Sequence, residues 1–168
     1  MKDPFDEFVE LAFRVEALPF YADDQTGVSV ELANFLKTNS VPDNHNTEWA
    51  SLVEQAVKRG AKVCRLRIVS DPLSPYEMFE LYAGYNAGRK AGEQIRVAPK
   101  QQCSPLKDYW LYDNQTIEIL NYSPLGVFLG STVRKPSREE LALAANHLRV
   151  FSTGLSPEEY LKSVSRQV

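Results

Sequence analysis

The sequence predicts an α/β fold, a mixed β-sheet flanked by helices, in a single domain over residues 1–168. Three observations carry that reading. Between Thr47 and Ala98 the apolar spacing switches twice from a helical period to a strand period, the order that builds parallel neighbours joined by helical crossovers. On either side of Asn114-Gln115, two short runs rich in aromatic and β-branched residues read as an antiparallel hairpin. Beyond them, Ser137-Arg138-Glu139-Glu140 has the reciprocal Ser/Glu spacing that opens a helix.

The elements follow in order. Asp3 and Pro4 mark a helix start, with Phe5, Phe8, Val9 and Ala12 at helical spacing. Phe13-Arg14-Val15-Glu16-Ala17 then alternates with period two, as a half-buried strand does, and Pro19 ends it. Val30, Ala33, Phe35 and Leu36 predict a short helix, closed by the polar stretch from Thr38 to Asn46. Thr47 is placed to cap the next helix, whose Trp49, Leu52, Val53, Ala56 and Val57 keep the 3.6-residue period. Lys58 and Arg59 suit its C-terminus, and Gly60 its left-handed exit. Lys62 to Val69 reads as a strand, and Pro72 and Pro75 bracket a turn. Tyr76, Phe79, Tyr82 and Ala83 give an amphipathic helix running to about Lys90 and closed by Gly92, with a strand at Ile95 to Ala98. Tyr109 to Asp113 and Thr116 to Leu120 form the hairpin, and Val127-Phe128-Leu129 with Ser131-Thr132-Val133 adds another strand. Leu141, Ala144, Ala145 and Leu148 line the helix that Ser137 opens, and Pro157 starts a last helix with Tyr160, Leu161 and Val164.

Composition bounds the function. A hydrophobic share of 43% over 168 residues supports a sizeable core, so neither disulfides nor metals are needed for stability. The cysteines, Cys64 and Cys103, are expected to stay reduced, as suits a cytoplasmic address. The N-terminus is acidic and lacks an apolar export segment, and no run reaches the roughly 18 apolar residues of a membrane span. Net charge is −3 but uneven: residues 1–56 carry eleven acids against three bases, and residues 57–138 seven against thirteen. Either the basic middle faces an anionic partner or the acidic N-terminal segments neutralise it. The overall negative charge and the lack of a reading helix disfavour direct nucleic-acid binding.

The chain carries no recognisable catalytic centre. His45 and His147 are the only histidines and no zinc spacing occurs. There is no Gly-x-Ser-x-Gly, no Cys–His signature, no Walker A loop and no Gly-x-Gly-x-x-Gly, so no cofactor is called for. Three constellations stand out. Arg65 and Arg67 share a strand face, with Ser70, Asp71 and Tyr76 at its carboxyl end, where α/β sheets often bind ligands; an arginine there would hold an anion, or the face is simply solvated. Asp108 and Asp113 flank Tyr109-Trp110 and offer a carboxylate pair, unless Asp113 caps the hairpin turn. Tyr82, Tyr85, Asn86, Arg89 and Lys90 make a basic, aromatic helix end that suits nucleic acid or merely its own dipole. The candidate ligand-binding residues are therefore Arg65, Arg67, Ser70, Asp71, Tyr76, Trp110 and Asp113.

Phe13-Arg14-Val15-Glu16 with Tyr21, Trp49 to Val53 leading to Arg59-Gly60, the run Arg65 to Tyr76 and Tyr109 to Asp113 resemble a family of unknown function common in actinobacteria. Its most specific piece is Val69-Ser70-Asp71-Pro72-Leu73-Ser74. Members look like companions of helix-turn-helix regulators, which implies a transcription-linked regulatory role beside such a partner. The element order also resembles half of a phospholipase-D-like fold, whose chemistry rests on His-x-Lys followed by an Asp five residues after the Lys. Aligning that Asp on Asp113 puts Leu106 at the His position and Asp108 at the Lys position, so the resemblance implies a non-catalytic version. Three functions are thus expected in descending order: a non-enzymatic regulatory or interaction protein, a sensor of a small anionic or nucleotide-type ligand at Arg65–Arg67, and a phosphodiesterase using Asp108, Asp113 and Arg67.

Overall fold

A computed structural model describes residues 3–23, 27, 29–105 and 107–165. Helix α1 (Pro4–Glu7) is capped by the Asp3 carboxylate, which accepts the Phe5 N–H at 2.9 Å. It stops well before the expected Ala12. The Asp113 carboxylate accepts the N–H groups of Val9, Glu10 and Leu11 at 2.7, 2.9 and 2.8 Å and feeds the chain into strand β1 (Leu11–Glu16). Helices α2 (Val30–Thr38) and α3 (Thr47–Lys58) connect β1 to β2 (Lys62–Val69). Thr47 is the first helical residue of α3 rather than its cap: Asn46 sits before it at φ 54° in the left-handed region that Asn tolerates.

The segment after β2 departs most from expectation. Ser74 and Glu77 form a reciprocal capping box at the start of α4 (Pro75–Phe79), but the helix then widens into a π-helical turn (Glu80–Gly84) before resuming as α5 (Asn86–Ala91). That turn shifts the phase of the buried face. Tyr82, expected inside, is 59% exposed, while Glu80 and Leu81 turn inward. Gly92 closes α5 at φ 111° and β3 (Gln94–Pro99) follows.

Strands β4 (Tyr109–Tyr112) and β5 (Thr116–Tyr122) make the expected hairpin, shifted by one residue. Asp113 and Asn114 occupy the turn at φ 51° and 56°, and the Gln115 N–H bonds the Tyr112 carbonyl at 2.9 Å. Two successive left-handed residues reverse the chain tightly, and the pairing of Tyr112 with Thr116 leaves Asp113, Asn114 and Gln115 between the strands. Strand β6 (Phe128–Arg134) is continuous, the Ser137–Glu140 capping box opens α6 (Arg138–Thr153) as expected, and α7 (Pro157–Ser165) ends the described chain.

The sheet order is β3-β2-β1-β4-β5-β6, with β1, β2 and β3 parallel and β4, β5 and β6 antiparallel to their neighbours. This is the mixed, helix-flanked α/β architecture that the sequence predicts. One face carries Phe13, Val15, Leu66, Ile68, Tyr109 and Leu111 beneath α6. The opposite face is apolar only at its margins: Ala12, Val63 and Tyr112 pack under α3 with Val53 and Ala56, and Val69, Ile95 and Val97 pack with Leu81, Tyr85 and Tyr160. Between those patches the face is charged. No helix among the described residues is long and apolar enough to cross a membrane.

Candidate functional site

Parallel registry builds the charged zone. Arg14 pairs with Arg65 and Glu16 with Arg67 across β1 and β2, and Trp110 lies beside Arg14 on β4. The alternation in Phe13-Arg14-Val15-Glu16 predicts a solvated polar face. Instead Arg14 and Glu16 are buried, and Arg67 is fully so, because the crossover helices cover the face. Two arginines side by side, out of water, require carboxylates.

They receive them. Arg65 donates from Nη1 to Glu16 Oε1 at 2.5 Å and from Nε to Glu93 Oε1 at 2.7 Å. Arg67 lies with Nε and Nη2 at 2.7 and 2.6 Å from Glu80 Oε2, but Nη2 makes no hydrogen bond among the described residues. Arg14 Nη2 donates to Asp108 Oδ2 at 3.0 Å, where the Tyr21 hydroxyl also bonds, and Asp108 Oδ1 accepts the Ala17 N–H at 3.0 Å. The Tyr85 hydroxyl donates to Glu16 Oε2 at 2.7 Å and Trp49 Nε1 to Glu93 Oε2 at 2.8 Å. Gly88 permits the last contact, since a Cβ there would collide with Glu93 Oε2.

Burial and partners divide the carboxylates. Burial pushes the Glu16 carboxyl up, but Arg65, Arg14 and Arg67, with the Tyr85 hydrogen bond, outweigh it and hold it down at about 2. For Glu80 burial prevails over Arg67, and the carboxyl is raised to about 7. Burial works against the Arg65 charge, yet Glu16 and Glu93 more than offset it and keep it firmly protonated.

Above this lattice is a cavity of about 240 Å³. Glu16 and Arg65 form its floor. Trp49 of α3, Tyr76 and Phe79 of α4, and Glu80, Tyr85 and Gly88 of the π turn and α5 form its walls, with Glu31, His45 and Asn46 at one side. Arg65 lies 5.5 Å from the Trp49 ring and 5.4 Å from that of Tyr85.

The predicted residues separate into three places. Arg65 and Tyr76 line the cavity, Arg67 is buried beside it against Glu80, and Trp110 stacks within 5.9 Å of the Arg65 guanidinium. Ser70 gives its N–H to Glu77 Oε1 at 2.9 Å and lines, with Asp71, a separate groove against Tyr160 and Val164. Asp113 lies at the far end of β4, its carboxylate occupied by the Val9–Leu11 backbone. Asp108 and Asp113 therefore stand at opposite ends of one strand, roughly 17 Å apart at about 3.4 Å per residue, and do not form a pair. The basic helix end is likewise divided: Tyr85 is buried on Glu16, and Arg89 pairs with Glu158.

The sequence reading missed Glu16, Glu80 and Glu93 as members of the site. A signal was available for Glu16: polar residues at in-register positions of two parallel strands must be paired when helices cover both faces. For Glu80 the π turn hid it.

No curated protein matches the sequence. Among solved structures, the crystal structure of a phospholipase D family member, Nuc from Salmonella typhimurium, is similar in fold, with a TM-score of 0.51 at 12% identity over 90% of this chain and 84% of that one. The position expected for a lysine in that fold's motif holds Asp108, bound to Arg14; Leu106, at the histidine position, lies outside the described residues. Residues 1–162, nearly the whole chain, match the domain of unknown function DUF6879, and the chain belongs to that family.

Proposed function

We propose that this is a non-enzymatic regulatory protein of the cytoplasm that senses a small ligand in the cavity on its charged face and works beside a helix-turn-helix DNA-binding partner. The observation that carries the sensing role is the cavity itself: a half-open polar space on a lattice of buried charges, walled by the crossover helices. Ion pairs inside a protein contribute little net stability, so a lattice of them is better explained by what it recognises. The partner rests on the resemblance to actinobacterial companions of helix-turn-helix regulators.

A phosphodiesterase role draws less support. Asp108 is held by Arg14, Tyr21 and the Ala17 N–H, and Asp113 by three backbone N–H groups at the other end of β4. The regulatory reading is tested by affinity purification from the native host. A stoichiometric helix-turn-helix protein in the eluate is the expected result, and a clean, partnerless chain contradicts the partner.

A further inference from the structure

Charge and hydrogen bonding in the cavity point to the class of ligand. Within the lattice, three guanidiniums, those of Arg14, Arg65 and Arg67, stand against four buried carboxylates, those of Glu16, Glu80, Glu93 and Asp108. Glu31 adds a fifth carboxylate at the rim, its Oε1 3.4 Å from Nδ1 of His45, which lines the same cavity. A surplus of buried negative charge is costly unless a cation or a proton answers it.

The surplus is localised. Both oxygens of Glu16, Glu93 and Asp108 accept hydrogen bonds. Glu80 gives Oε2 to Arg67, while its Oε1 accepts none among the described residues, in a side chain only 8% exposed. Glu80 also lines the cavity. Glu80, whose Oε1 accepts no hydrogen bond among the described residues, thus lines a half-open space whose other walls include the rings of Tyr76 and Phe79.

An anion fits this space poorly. Arg65, the guanidinium that lines it, already spends Nε on Glu93 and Nη1 on Glu16, so an anion would face carboxylates without a free fork of donors. The volume, about 240 Å³, is below the roughly 300–1,000 Å³ of pockets for drug-sized ligands, so an occupant of either charge is small. We propose that the cavity takes a small organic cation with N–H donors, a primary amine or a guanidinium, bonded to Glu80 Oε1 and Glu31 and seated among the rings of Tyr76 and Phe79. Charge-assisted hydrogen bonds and aromatic faces are the two contacts such a group uses. Glu80 faces Arg67, Arg65 and Glu16 across the lattice, with Glu31 and His45 at the cavity's side. With burial raising Glu80 to about 7, a proton holds the site at lower pH and the cation displaces it as pH rises.

The inference rests on the ligand-sensing half of the proposed function. Its test is calorimetric titration of the full chain with putrescine and agmatine, and with inorganic phosphate as the opposing probe. Saturable binding of at least one amine is expected, weakened at least tenfold in Glu80→Gln and at least threefold in Glu31→Gln. The affinity should rise about tenfold from pH 6 to pH 8, as the ionised fraction of Glu80 rises. Glu31 is half-exposed on α2, so its variant carries the test if Glu80→Gln does not fold. Saturation by phosphate, no saturation by either amine, or equal binding in both variants would overturn the inference. A chain that co-purifies with a helix-turn-helix partner yet binds no amine overturns this inference alone and leaves the partner standing.

Discussion

The two faces of β1 and β2 are both buried, yet they are built on opposite chemistry. Beneath α6, Phe13, Val15, Leu66 and Ile68 form a conventional apolar core. Less than a strand's thickness away, Arg14, Glu16, Arg65 and Arg67 lie under α3, α4 and α5, nearly as dry. Burial of the first face contributes stability through area removed from water. Burial of the second requires desolvating seven charges, and attraction between them largely returns what desolvation takes. The apolar face holds the fold together, and the charged face shapes a site.

That contrast yields substitutions with unlike outcomes. The largest effect is expected from Arg67→Ala, which strands Glu80 in the interior: a loss of about 3–5 kcal/mol in urea denaturation at pH 8, smaller at pH 6, where Glu80 can take a proton. Next is Leu66→Ala on the apolar face, where the removed methyl groups leave a cavity and cost about 3 kcal/mol with no dependence on pH. A shared pH slope in the two variants would erase the distinction between the faces. Asp113→Ala, outside both, frees three partly hydrated N–H groups and costs about 1–2 kcal/mol, leaving amine binding unchanged.

The smallest effect is a pair of opposed pH trends. On the apolar face His147 is buried, with Nδ1 2.8 Å from the Tyr109 hydroxyl and Nε2 without a partner among the described residues, and burial lowers its pKa below 6.5. The unfolded chain then binds a proton that the folded chain refuses, so stability falls as pH drops below 6.5. Glu80 acts in reverse: its carboxyl, raised to about 7 from 4.5, takes its proton earlier in the folded state, so stability rises as pH drops through 7. His147→Phe should remove the first trend and Glu80→Gln the second, the latter worth about 1 kcal/mol over one pH unit. Melting temperatures of the three proteins between pH 5 and 8 decide it, and superimposable profiles would refute both assignments.

Much of the fold was legible because its signals are local. The strand at Lys62–Val69, the capping box at Ser137–Glu140 and the left-handed Gly92 depend on neighbours within a few residues. The misreadings arise from long-range contacts. Asp113 ends α1 early from more than 100 positions away, and the π turn at Glu80–Gly84 breaks a period that assumes a uniform helix. The site was half legible. Arg65 and Tyr76 line one cavity, since the first lies on β2 and the second just beyond its carboxyl end. Trp110 reaches Arg65 from β4, a meeting that strand spacing alone does not announce. The carboxylates that complete it come from β1, the π turn and the loop after α5, and only tertiary packing unites them. For the same reason, two arginines on one strand suggested an anion, while their partners leave the cavity acidic.

The central claim, that the charged face is kept for recognition rather than stability, is tested most directly by the double substitution Arg67→Met with Glu80→Leu. Its unfolding free energy and its putrescine affinity are measured together. The account predicts a chain at least as stable as the parent, with putrescine binding weakened at least tenfold. A double variant as unstable as Arg67→Ala that still binds putrescine like the parent would contradict it.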